Sequence, residues 1–208
     1  VLDRGVDESL LSAEDRVGVQ RSLLDRMASI GVLEGSEEGG VDSIPHPEVM
    51  VESVHRVRGG ALFALAFAAP AVLESGEMAE RMARAEAAIA RLGTAFQMVD
   101  DLIDFEFDVG RRTHNLLVAQ VHHLGTEDER AALDPLWDGA PVPKGAVEEV
   151  FGASARAVLE RAYSEARGAF EGLSELGHWL DPRLSEEVVH AIVGLDGVAR
   201  MDSLIEGR

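Results

Sequence analysis

Apolar residues recur at helical spacing along nearly all of the 208-residue chain, and no run of alternating β-branched residues predicts a strand. About seven helices are expected. The first runs roughly from Glu8 to Leu33 and gives way to the loop EGSEEGGVDSIPHP. The second spans about Glu48 to Leu73, with a kink expected at Pro70. The third starts after Ser75-Gly76 and runs to about Asp108. A short helix from Asn115 to Leu124 precedes a capping box, Thr126-x-x-Glu129, which opens the next. The Pro/Gly stretch from Asp138 to Gly145 is a loop, followed by a long helix from about Ala146 to Leu176. The last helix starts at Asp181-Pro182, a cap with proline in the first position, and reaches about Leu204. No repeat or low-complexity tract divides the chain, so one all-α domain over residues 1–208 is the economical reading.

The third helix has the cleanest period. Met78, Met82, Ala85, Ile89, Leu92, Phe96, Val99 and Ile103 form one apolar stripe, expected to be buried. At ~100° per residue, Gly93, Gln97, Asp100, Asp104 and Asp108 fall in a second stripe, roughly 80° wide, beside it. Asp101 lies slightly outside that second stripe. Asp100 and Asp104 are one turn apart, about 6 Å along the axis. Stacked carboxylates repel, and partial burial adds a desolvation cost that a cation would relieve. Oxygen-only ligands on a rigid face suit Mg²⁺, which binds through one or two carboxylates, waters and substrate phosphates. By spacing alone, a solvated acidic helix edge is about as good an account.

Arginines supply the opposite charge. Val51, Val54, Arg58, Leu62, Leu65 and Ala69 form a helical row that only Arg58 interrupts. A guanidinium there pairs with an interior carboxylate or meets an anion. Gly59 and Gly60 follow it and would permit close backbone approach. After the acidic run comes GRRTHNLL, where Arg111 and Arg112 either offer phosphate contacts or neutralise the aspartates.

Composition narrows the options. The chain carries 38 acidic and 19 basic residues, a net charge of −19, so binding to nucleic acid or to an anionic membrane is disfavoured. Eighteen basic residues are Arg and one is Lys144, for which a GC-rich genome is the plain explanation. With no Cys, disulfides and thiolate metal sites are excluded, and a reducing, cytoplasmic location is expected. No apolar run reaches membrane-spanning length, and no secretory signal is visible. The histidines lack metal-ligand spacing, and no P-loop, G-x-S-x-G or H-E-x-x-H motif occurs.

GTAFQMVDDLID resembles the second aspartate-rich motif, F-Q-x-x-D-D-x-x-D, of the trans-isoprenyl diphosphate synthases (polyprenyl synthetases). RGGALFAL resembles the K-T-x-x-L-F segment of that family, and GVLEG loosely resembles its preceding glycine segment, in matching order. The likeness covers roughly Gly31 to Leu117. It implies an all-α isoprenoid-synthase fold, usually a homodimer, that joins an allylic diphosphate to isopentenyl diphosphate in a Mg²⁺-dependent head-to-tail condensation. By position, the resemblance makes Asp100 the main metal ligand, with Asp101 and Asp104 contributing directly or through water. Arg58 and Gln97 would face the substrate diphosphate, with Arg111 or Arg112 in place of the family's lysine. Asp100, Asp104 and Arg58 would carry catalysis by stabilising the departing diphosphate.

The departures from the family pattern are specific. The family's first aspartate motif, D-D-x-x-D, is absent, so the chain resembles the later two-thirds of the fold, an isoprenoid-synthase domain incomplete at its N-terminus. Its K-T pair is Arg58-Gly59 here. Three other readings follow: a terpene-cyclase-type enzyme on the same fold, a non-catalytic or regulatory partner subunit of a prenyl synthase, and a helical interaction domain. The cyclase motif N-D-x-x-S-x-x-x-E is not matched, since Asn115, Ala119 and His123 occupy that spacing.

Overall fold

The computed structural model of the chain describes residues 2–178, 181, 183–185 and 187. Every regular element among them is helical, as the sequence pattern predicts. The helix expected from Asp181 to Leu204 lies largely outside the described residues.

Helix α1 (Leu2–Asp7) is a short lead-in to α2 (Ala13–Ser36). The expected start of the first helix at Glu8 is corrected to Ala13. Ser12 caps α2: its hydroxyl accepts from the Asp15 N–H at 2.9 Å, and the Asp15 carboxylate accepts from the Ser12 N–H at 3.2 Å. The second helix runs from α3 (Pro47–Met50) through a ten-residue π-helical segment (Val51–Gly60) into α4 (Ala61–Ala64), then tightens to a 3₁₀ turn (Leu65–Phe67). Pro70 does not kink this helix. It opens a separate short one, α5 (Pro70–Leu73), where its missing N–H costs nothing.

Helix α6 (Gly76–Ile103) ends earlier than expected. Asp104, at φ −90° and ψ 3°, separates it from α7 (Phe105–Arg111), which Arg112 closes in the left-handed region at φ 58°. The acidic stripe therefore does not continue in helical register to Asp108. Helix α8 (Leu116–Leu124) starts where expected, with the Asn115 side chain accepting from the Leu117 and Val118 N–H groups. Helix α9 (Glu127–Trp137) opens on the expected capping box: Glu129 N–H donates to the Thr126 hydroxyl at 3.1 Å, and Thr126 N–H to the Glu129 carboxylate at 2.9 Å.

The long helix expected from Ala146 is two, α10 (Ala146–Glu149) and α11 (Gly152–Glu175), broken at fully buried Phe151. The cap of α11 comes from α9. The Glu129 carboxylate accepts from both the Ser154 N–H and its hydroxyl at 3.0 Å, placing a negative charge at the positive end of α11. Burial works to raise the pKa of Glu129, but the N–H donors of Thr126 and Ser154 outweigh it, and the net shift is downward.

Helix α6 packs chiefly against α11 and the π segment. Its buried side is not the expected stripe. Ala85, Leu92 and Val99 are buried, but so are Ala88, Ala95, Met98 and Leu102, while Phe96 and Ile103 are half-buried and Met78 is 43% exposed. Small side chains explain the rotation. Ala95 meets Ala166 and Ala169 of α11, so these helices approach through alanines that a periodicity of large apolar residues underweights. A larger core gathers Met98, Leu102, Phe105, Leu116, Leu117 and Phe151 around α8.

The π segment meets α6 backbone to backbone. A Cβ on Gly59 would run into the Gly93 carbonyl, and one on Gly93 into the Gly59 carbonyl and Phe63. The close backbone approach expected at Gly59 is met, and the backbone that approaches is that of Gly93. The wider π turn also shifts side-chain register: His55 and Gly59 turn inward, and Leu62, expected in the apolar row, is 55% exposed.

Candidate functional site

The C-terminal halves of the π segment and α6 carry the polar groups the sequence singles out. Gln97, Asp100 and Asp104 form a ledge at the end of α6, Asp100 and Asp104 open to solvent and Gln97 half-buried. The Gln97 amide donates to Asp100 Oδ2 and to Asp101 Oδ1, each at 3.3 Å. The protein around Asp100 strips enough water to raise its pKa, and repulsion from Asp104 and Asp101 adds to the shift. The Gln97 hydrogen bond and Arg58 oppose it without overcoming it.

Asp101 is not on the ledge. It turns into the core, 2% exposed, where its Oδ2 lies 2.8 Å from His55 Nε2 and accepts the Leu116 N–H. Asn115 donates to the Asp101 carbonyl at 2.7 Å and to Asp108 Oδ2 at 2.9 Å. Oδ2 of Asp101 thus ties α6 to the π segment and to the N-terminus of α8 while Oδ1 accepts from Gln97 within α6, and the expectation that it joins Asp100 as a ligand meets a side chain with a structural post. The expected position outside the acidic stripe holds, and Asp101 turns toward the neighbouring helices.

Asp108 also leaves the ledge. It is half-buried against Asn115 and Thr113, whose hydroxyl donates to Oδ1 at 3.1 Å. Burial pushes its pKa up to about 6, with Asp101 and Asp104 contributing, against the hydrogen bonds of Asn115 and Thr113.

Arg58 reaches carboxylates from α2. Its Nε donates to Glu34 at 2.5 Å and its Nη2 to Glu37 at 2.6 Å. The same Glu37 oxygen lies 2.6 Å from His114 Nδ1. Burial opposes the charge of Arg58, but Glu37 and Glu34 outweigh it and raise the pKa, with Asp101 adding to the field. Burial likewise works against the buried Glu37 carboxylate, yet His114 and Arg58 hold its pKa below the usual range. Of the two readings open for Arg58, the structure displays the carboxylate pair.

Sequence reasoning did not find Glu34, Glu37, His55 or the partnership of Glu37 with His114. One signal was available. Glu34, Glu37 and Glu38 sit at the C-terminal end of α2 with no basic residue in the last turn, against the helix dipole. Asp100 and Asp101 sit equally badly at the end of α6. Two negative helix ends, each carrying acids, therefore converge on Arg58.

Arg111 and Arg112 point to aromatic rings. Arg111 lies 4.6 Å over Phe107, and Arg112 lies 5.2 Å over Trp137. Leu92, Ala95, Phe96 and Val99 of α6 face Leu159, Ala162 and Tyr163 of α11 across a narrow apolar crevice with about 10 Å³ of free space. Among the described residues, no three His, Asp or Glu side chains gather so as to hold a metal ion. No helix there is long and apolar enough to cross a membrane.

Comparison with protein-family models, with curated proteins and with solved structures finds no match to this chain.

Proposed function

We propose that this chain is a Mg²⁺-dependent prenyltransferase of the isoprenyl diphosphate synthase type, with the α6 ledge as one wall of its diphosphate site. The observation that carries the reading is electrostatic. The carboxylates of Glu37, Glu34 and Asp101 hold the charge on Arg58 against burial, and burial together with repulsion from Asp104 and Asp101 raises the pKa of Asp100. A dication relieves that field. The donor set suits Mg²⁺ shared with a ligand: Asp100 and Asp104 offer oxygens, and Mg²⁺ completes its shell with water and phosphate oxygens rather than a protein cage. Bound there, Mg²⁺ would neutralise the diphosphate as a leaving group.

The chain's own residues divide the remaining work. The Gln97 amide orients the Asp100 carboxylate. Arg58 offers guanidinium donors to phosphate oxygens. Asp101 acts through position, holding α6 against α8. Arg111 and Arg112 remain on their rings.

A second reading, a non-catalytic partner subunit of a prenyl synthase, is favoured by the engagement of Arg58 and Asp101 within the protein. Two assays separate them. The protein is incubated with radiolabelled isopentenyl diphosphate, Mg²⁺ and a series of allylic diphosphates, and calorimetry follows diphosphate binding with and without Mg²⁺. A synthase elongates at least one primer, and Asp100→Ala abolishes the Mg²⁺-dependent binding. Binding without elongation favours the partner subunit. Binding untouched by Asp100→Ala removes the ledge from both readings.

A further inference from the structure

We propose that Glu34 is a displaceable carboxylate latch on Arg58, vacated when a phosphate-type anion binds, while Glu37 is its permanent anchor. The two acids reach the same guanidinium edge but differ in setting. Glu37 is 7% exposed, and one of its oxygens serves both Arg58 Nη2 and His114 Nδ1. Releasing it would strand a buried carboxylate and two donors at once. The Glu34 side chain is 55% exposed, and its bond to Arg58 Nε is the one ion pair seen for it among the described residues. It can swing into water without stranding a buried charge.

Glu34 is also placed where it is easily lost. It lies in the last turn of α2, whose dipole presents its negative end there, beside Ser36, Glu37 and Glu38. Its pairing with Arg58 is its compensation. An incoming anion that brings its own countercharge can take Arg58 Nε, the donor that Glu34 vacates, while Nη2 stays on Glu37. Carboxylates face this guanidinium from α2 and from α6, where Asp100 and Asp101 lie. An anion without a cation would meet repulsion from all of them, so the latch admits metal-bound phosphate and rejects free phosphate.

The latch presupposes an anion at Arg58, as in the diphosphate reading, and the test separates the two. Inorganic pyrophosphate is titrated calorimetrically into the protein with Mg²⁺ and without it. Glu34→Ala should tighten binding roughly two- to fivefold, the range expected for removing an exposed competing pair. Glu38→Ala, which removes one charge from the same helix end away from Arg58, should leave it unchanged. The gain from Glu34→Ala should vanish when Arg58→Ala is added. If the unaltered protein binds pyrophosphate through Arg58 and Glu34→Ala leaves that binding equal or weaker, the latch is overturned and the diphosphate reading stands. An equal gain from Glu38→Ala reduces the effect to net charge and overturns it too. If neither protein binds, both proposals fall.

Discussion

Asp101 shows how one residue changes role with its surroundings. In the motif it reads as a ligand beside Asp100, yet a carboxylate only 2% exposed needs hydrogen-bond donors around it, and His55, Leu116 and Gln97 supply them. Asp101→Ala should destabilise the fold by about 3–5 kcal/mol, the cost of breaking a buried pair from one side. Urea denaturation measures it, and a loss below about 1 kcal/mol would contradict the buried assignment. Asp108 makes the opposite case. Its folded-state pKa, about 6, is above the ordinary 3.8, so the native state holds more protons between those values than the unfolded chain does. Its contribution is therefore complete below about pH 4 and is lost as pH rises through about 6. Asp108→Asn, which keeps an acceptor for Asn115, should gain stability relative to the unaltered protein across that window, on the order of 1 kcal/mol once solvent screening is counted. Paired melts across the window test the sign, and an advantage of Asp108→Asn over the unaltered protein that grows on acidification would refute it.

Elements meet here through what their residues lack. Gly59 and Gly93 face each other across the contact of the π segment with α6, where a methyl group on either meets the other's carbonyl. Gly93→Ala should cost about 1–3 kcal/mol by overpacking. Gly31→Ala, in exposed helix α2 with open space around it, should instead stabilise by roughly 0.5–1 kcal/mol through helix propensity. Thermal melts of the two variants should move in opposite directions, and parallel shifts would mean that the helix crossing is looser than described. The π segment adds a second lesson: it sets His55 against Asp101 and leaves Arg58 half-buried, a pairing that a regular helix period does not predict.

For the whole molecule, charge is the dominant long-range term. A net charge of −19 implies self-repulsion in the folded state, concentrated where α2 and α6 end together. Added salt should raise the melting temperature by screening. Mg²⁺ should raise it further than a monovalent salt of equal ionic strength, and Asp100→Ala should remove that excess while leaving the general salt effect. Differential scanning calorimetry reads both, and equal responses to the two salts would argue against a divalent site on the ledge.

The sequence by itself determined the helical class, the capping box at Thr126, and the ledge of Gln97, Asp100 and Asp104. All of these are set within a turn or two of chain, the range over which helical geometry and capping act. The tertiary structure decided which carboxylates Arg58 meets and which aspartate is buried. Glu34 and Glu37 lie 24 and 21 residues from Arg58, Glu37 lies 77 from His114, and His55 lies 46 from Asp101. No local rule reaches that far. Those pairings were settled by alanine and glycine contacts that rotate α6, and by a π turn that shifts register, and both are visible only once the helices have packed.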